Sequence, residues 1–211
     1  MNAPKRDFNL AAKTWDENPR RIQIAQATVD AIRSSLPLSP DLDALDFGCG
    51  TGLLTMLLSP YVRTVTGADN AHGMLEALQA KIDASGSNHI HTLFLDGEQD
   101  ELGFEQYDLM VSGMAFHHIE HIDSLLRRFA AALRPSGYVA ITDLDLEGGL
   151  FHENNAGVYH FGFDRSQFHA ILEQAGFSDT TDTTVASFQK PAADGILRTF
   201  TVFLITARKR L

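Results

Sequence analysis

Residues 45–52 read LDFGCGTG, with glycines at 48, 50 and 52 directly behind a short apolar run. A glycine cluster where a strand gives way to a helix lets the backbone turn tightly and approach a ligand closely. The spacing narrows the ligand. A dinucleotide fingerprint needs its third glycine five residues after the first, whereas here it comes four residues after. No Gly-Lys-Ser/Thr follows, which excludes a triphosphate cradle. Asp46 sets a carboxylate beside the loop, where it repels a pyrophosphate and suits an ammonium or another cation-bearing ligand. Asp69 closes the next apolar run, TVTGAD, 21 residues after Gly48, the position from which an acid in such folds accepts hydrogen bonds from ribose hydroxyls. Loop and acid together imply a nucleoside without phosphates; alone, GCGTG could be a tight turn and Asp69 a helix cap.

The run HHIEH at 117–121 is the second concentration of chemistry. Its HxxEH matches an inverted zinc-protease motif in which two histidines share a helical face, but the helical length such a site requires is missing. His117 could act as a general base, since an unperturbed imidazole is largely neutral at pH 7 and accepts a proton. The competing reading is a packed, hydrogen-bonded histidine. Cys49, the only cysteine, sits inside the glycine loop, where a small side chain serves close packing rather than nucleophilic chemistry.

These residues need a frame, and the periodicities supply one. Ile22, Ala25, Val29, Ile32 and Leu36 recur at three- and four-residue steps behind Asn18 and Pro19, which predicts a capped amphipathic helix over 19–36. Strands are predicted at DALDF, at TVTGAD (64–69), at HIHTLFLD, at YDLMVS and at YVAITD. Helices follow the glycine loop, occupy 71–84, and start near 122 with Asp123 as cap and Pro135 and Gly137 as stop. Asp164, with Gln167 three residues on and Phe163 facing Phe168, signals a capping box and a hydrophobic staple opening a helix that ends at Gly176. The stretches 180–188 and 199–207 lack a helix between them and should pair antiparallel. Alternating strands and helices with a terminal hairpin predict an α/β, doubly wound, mostly parallel sheet with ligands at the carboxyl ends of its strands.

Composition agrees with a soluble enzyme-sized domain. The 211 residues carry a formal net charge of -10, with 17 Lys+Arg against 27 Asp+Glu, so the net field opposes nucleic acid and anionic membrane. A single cysteine makes no internal disulfide, the N-terminal segment lacks the apolar run of a signal peptide, and no run reaches the ~18 apolar residues of a membrane helix. The expectation is one cytoplasmic domain over 1–211; oligomeric state is not written in the sequence.

In the order LDFGCGTG, GADNAHGML, FLDGEQ, YDLMVSGMAFHHI, ALRPSGYVAITD, roughly residues 40–145 resemble the class I S-adenosylmethionine-dependent methyltransferases. The resemblance implies a Rossmann-like seven-stranded sheet of order 3-2-1-4-5-7-6 with an antiparallel C-terminal strand, and S-adenosyl-L-methionine as cofactor with S-adenosyl-L-homocysteine as product. It implies that Asp46, Gly48, Cys49, Gly50 and Gly52 pack against the methionine part. It implies that Asp69 holds the ribose, that Asn70 and Met74 flank ribose and adenine, that Asp96 and Gly97 meet the adenine amino group, and that Ser112 and Gly113 lie under the methionine. Among subgroups the sequence looks most like the small-molecule enzymes related to quinone-biosynthesis methyltransferases, with transfer to an oxygen, nitrogen or carbon. In that setting 1–36 becomes an N-terminal helical cap, with Trp15 either part of a lid at the acceptor site or a surface anchor against the core. The glycine- and aromatic-rich segment 143–164 becomes an acceptor-site loop offering His152, Tyr159, His160 and Phe161. Asp143 and Asp145 could hold a divalent metal as in catechol methyltransferases, but Ser112 stands where those enzymes place an acid, so no metal is expected. Two other readings stay open: a non-catalytic cofactor-binding or regulatory protein, and a zinc hydrolase built on HHIEH.

Overall fold

The structure, a computed structural model, describes residues 6–96 and 100–211. A short helix α1 (Phe8–Ala11) and a 3-10 segment (Ala12–Glu17) precede the long helix α2 (Pro19–Ser35). Asn18 caps α2 by accepting from the Arg20 N–H at 3.0 Å, and Pro19 takes the first turn, where its missing N–H leaves no bond unmade. The buried stripe is Ile24, Ala25, Thr28, Val29 and Ile32; Ile22, expected on it, is exposed, because the stripe is one turn-step out of phase at the N-terminal end.

The chain then alternates: β1 (Asp43–Phe47), α3 (Leu53–Leu58), β2 (Thr64–Asp69), α4 (His72–Ser85), β3 (Ile90–Phe94), β4 (Tyr107–Gly113), α5 (Ile122–Ala132), β5 (Leu133–Leu144), α6 (Arg165–Gln174), β6 (Phe177–Pro191) and β7 (Leu197–Lys209). The seven strands form one sheet in the order β3-β2-β1-β4-β5-β7-β6. β1 to β5 run parallel, while β7 inserts antiparallel between β5 and β6. Period-two alternation sorts the side chains to two cores. Leu45, Phe47 and Met110 join Phe129, Phe168 and Phe203 on one face, while Ala44, Leu109 and Val111 join Val29, Leu54 and Leu78 on the other.

The terminal strands run longer than expected, and the boundaries around α5 also differ from expectation. The cap position of α5 is His121, and Asp123 lies in the first turn, where its carboxylate accepts from Arg127 at 2.8 Å. The helix ends at Ala132 before reaching Pro135: Leu133 already pairs with Tyr107, and the next pair is Leu109 with Tyr138, so 134–137 bulge out of the ladder with Ser136 at φ 66°. A bulge accommodates the N–H-less Pro135 without losing a ladder bond. At α6, Asp164 accepts from the Gln167 N–H at 3.0 Å and the Phe163 and Phe168 rings meet at 5.1 Å, as the sequence indicates.

Candidate active site

Glycine at 48 and 52 is a steric requirement. Gly48 sits at φ 68°, and a Cβ there would lie 2.5 Å from the Ala115 Cβ; Gly52 sits at φ 80°, and a Cβ there would lie 2.3 Å from Leu78 Cδ1. The turn is fastened to β2, since Gly48 N–H and Cys49 N–H both donate to the Ala68 carbonyl, at 2.8 and 3.0 Å. Asp69 completes the fastening: Oδ2 accepts from Gly50 N–H at 2.8 Å and Oδ1 from Ala71 N–H at 2.9 Å. Each carboxylate oxygen has two acceptor sites, so one on each is left for hydroxyls of a ligand. Burial raises the Asp69 pKa against the pull of these N–H groups.

Asp46 is in a harsher place. It is buried at the end of β1, its Oδ2 accepts from Thr55 Oγ1 at 2.6 Å, and its Oδ1 has no hydrogen-bond partner. Burial, with the nearby Asp69 charge adding to it, pushes the carboxyl up to about 7. A buried acceptor without a donor beside a glycine loop fits a ligand that brings an ammonium. Burial likewise drives the Cys49 thiol well up, which makes it a packing residue and not a nucleophile.

At the carboxyl ends of the strands opens a cavity of about 960 Å³. One end is walled by Asp46, Gly48, Cys49 and Gly50, with Asp69, Asn70, Met74 and Asp96 beside them and Gly113 across β4. The other end holds His117, His118, Phe151, His152 and Tyr159. Gly52 and Ser112 lie outside the lining: Gly52 serves the close approach of Leu78, and Ser112 Oγ donates to the Phe47 carbonyl at 2.8 Å, tying β4 to β1. His160 and Phe161 are also off the wall. His160 Nε2 bonds the Ile119 carbonyl at 2.8 Å with its ring against Phe163, and Phe161 is largely exposed. Gly97 lies outside the described residues.

The histidines form a group that differs from the HxxEH reading. His117 and His118 occupy a 3-10 turn (Phe116–His118), the chain is extended at Ile119, and His121 is exposed at the α5 cap, so His117 and His121 share no helical face. His117 is buried, and its Nδ1 lies 2.8 Å from Oδ1 of the fully buried Asp143, while Asp143 Oδ2 accepts from the His117 N–H at 3.2 Å. The carboxylate therefore fixes the tautomer with the proton on Nδ1 and leaves the Nε2 lone pair free. His118 Nδ1 bonds the Gly157 carbonyl at 2.7 Å. His152 comes in from the loop after β5, with its Nε2 buried and unpartnered. Burial above all, with repulsion from neighbouring histidines, lowers His118 to about 4 and His152 to about 3. The loop is held over His117 by Tyr159 N–H and His160 N–H, which both donate to the His117 carbonyl at 2.9 and 3.2 Å. Asp145 is not available for a metal: both oxygens accept from Arg165, at 2.7 and 2.8 Å.

Phe8 and Trp15 of the N-terminal segment line the cavity. Asp16 accepts from Thr51 Oγ1 at 2.6 Å and pairs with Lys81 Nζ at 2.5 Å, joining the segment to the glycine loop and α4. Arg21 lies 3.7 Å over the Trp15 ring and donates to the Trp15 carbonyl at 2.8 Å. Sequence reasoning passed over Arg6, Arg20, Arg21 and Lys190, which give this end of an acidic chain a cationic lining. Lys190 arrives from β6, too far along the chain for any local pattern to place it.

Residues 45–139 match the model of a methyltransferase domain family. An uncharacterized methyltransferase of Schizosaccharomyces pombe is 30% identical over 153 residues, covering 65% of this chain and 54% of that protein. A malonyl-[acyl-carrier protein] O-methyltransferase of Priestia megaterium is 26% identical over 160 residues, covering 74% and 56%. The chain thus spans about half the length of these curated relatives. The YcgJ protein from Bacillus subtilis superposes with a TM-score of 0.74 at 15% identity over 87% of this chain and 98% of that one, a likeness of fold. The similarity to methyltransferases thus rests on residues 45–139 and on these curated relatives, while the superposition shows the fold alone. Among the described residues no helix is long and apolar enough to cross a membrane.

Proposed function

We propose that the chain transfers the methyl group of S-adenosylmethionine to a small acceptor that carries negative charge. The observation that carries this reading is the cavity itself, which joins a nucleoside-shaped end at the glycine loop to an imidazole-walled, cation-lined end under the loop that follows β5. The unpartnered Asp46 Oδ1 suits the ammonium of the cofactor's methionine part, Asp69 its ribose hydroxyls, and Asp96 with Met74 its adenine side. When bound, the cofactor supplies a methyl carbon already activated by a positive sulfur.

The protein's own residues then have a modest task. Holding an acceptor atom and a methyl carbon at near-attack distance is worth on the order of 7 to 11 kcal/mol, more than a general base contributes. Trp15 and Phe151 give the cavity apolar wall, and Arg20, Arg21 and Lys190 offer positive charge to an anionic group. His117, its Nδ1 held by Asp143, presents its Nε2 lone pair to whatever the acceptor brings there.

The test is formation of S-adenosylhomocysteine with a panel of small carboxylated and phosphorylated hydroxyl, amine and thiol compounds. Turnover with an anionic member and not with its neutral ester supports the reading. Tight cofactor binding with no turnover across the panel favours a cofactor-binding protein without acceptor chemistry instead.

A further inference from the structure

The chain alone, with no metal expected from its sequence, brings together three imidazoles that no local motif joins. Among the described residues one group of metal-ligating side chains stands out: one ligand atom each from His117, His118 and His152 lies within 4.8 Å of the others. We propose that these three histidines form a binding site for a divalent transition metal of the zinc type, with its fourth position open to the acceptor.

Several independent features converge on it. Nδ1 of His117 is held by the Asp143 carboxylate and Nδ1 of His118 by the Gly157 carbonyl, so each ring has its orientation fixed and Nε2 left over. A carboxylate or carbonyl behind the non-ligating nitrogen is the usual outer support of a metal-bound histidine, because it fixes the tautomer and raises ligand basicity. His152 Nε2 is buried with no partner at all, an arrangement that is unfavourable unless something binds there. All three rings line the cavity, so the remaining position on the ion opens into it. Three protein nitrogens and one open position are the pattern of catalytic zinc, and imidazole suits zinc better than magnesium or calcium.

The fit requires a small contraction. Nitrogens around tetrahedral zinc at about 2.0 to 2.1 Å stand roughly 3.4 Å apart, so the rings must draw together by an ångström or so. His152 can make that move, since it belongs to the loop and not to the sheet. Arg6 and Lys190 add repulsion at His152, while the Asp143 carboxylate favours positive charge at His118 and Glu147 and Glu153 favour it at Lys190. An anionic acceptor taking the fourth position would offset the rest. The role of the ion in holding the acceptor rests on the function proposed above; the site does not.

The experiment uses tag-free, metal-stripped protein. Titration with zinc against a chromophoric chelator should show one equivalent bound at micromolar or lower concentration, and cobalt substitution should give the visible bands of a tetrahedral site. His152→Ala and His118→Ala should each weaken zinc about 100-fold or more and remove the cobalt bands, with cofactor affinity within a few-fold of wild type, while exposed His121→Ala changes nothing. Absence of saturable binding or of tetrahedral cobalt bands in the wild-type protein overturns the site, and so does equal weakening by His121→Ala. Zinc bound as expected with no turnover on any acceptor leaves the site standing and refutes the function. Turnover that survives complete chelation refutes the ion's part in the reaction.

Discussion

Replacing Asp46 by Asn should change how stability depends on pH. The Asp46 carboxyl stands at about 7 in the folded chain against an ordinary 3.8, chiefly through burial. The native state therefore holds this proton more tightly than the unfolded state, and Asp46 contributes stability that is present at low pH and lost as pH rises towards 7. Each unit of pH in that window removes about 1.4 kcal/mol, so between about pH 5.5 and about pH 8 the loss is about 2 kcal/mol. In a chain of this length that is about 4 to 8 °C in Tm. His118 and His152 pull the other way, since their lowered values make them resist the charge that acid imposes, and a bare wild-type profile would mix the two effects. They are common to both proteins, so the difference in Tm between wild type and Asp46→Asn isolates the carboxyl. Asn keeps an oxygen for Thr55 Oγ1 and has no charge to lose. Differential scanning calorimetry across the window should show wild type falling relative to the variant by that amount. A difference that stays flat would mean that the Asp46 carboxyl does not change its charge across the window, and the upward push by burial would be refuted.

Asp69→Ala removes acceptors for two ligand hydroxyls, each worth about 1.5 to 3 kcal/mol, and should weaken S-adenosylhomocysteine at least ~10-fold by calorimetry; unchanged affinity in a folded variant would refute the ribose assignment. Gly52→Ala forces a Cβ to within 2.3 Å of Leu78 Cδ1 at φ 80°, and chemical denaturation should show a loss of more than ~2 kcal/mol. Asp16→Ala cuts the N-terminal segment from Thr51 and Lys81, and stopped-flow should find cofactor release faster by about 5-fold, in keeping with ~1 kcal/mol for a pair about one-third exposed.

What the sequence discloses here is what short-range physics determines. Gly48 and Gly52 are legible because the turn admits no other side chain, and Asn18 and Asp164 because a cap acts within three residues. Ser112 and His160 were drawn to the ligand by their neighbourhood in the chain, yet their hydrogen bonds go to the Phe47 and Ile119 carbonyls, partners that only the folded sheet and loop supply. The histidine group was half visible. His117 and His118 announce themselves side by side, but the third member is His152 and not His121, because the turn at 116–118 breaks the helical spacing and the loop after β5 folds back onto it. That loop has no periodicity to read, and its course is set by bonds to distant partners, among them the carbonyls of His117 and Ile119 and the His118 ring.

The tether between Asp16 and Lys81 also makes the attachment of the N-terminal segment an electrostatic latch. Both side chains are about one-third exposed, so their attraction is open to screening by dissolved salt, unlike the apolar contacts of Phe8 and Trp15 with Met74 beneath them. Raising ionic strength weakens the first kind of contact and leaves the second intact. Salt should therefore loosen the hold of the N-terminal segment on the glycine loop through this pair first, while its packing on Met74 persists.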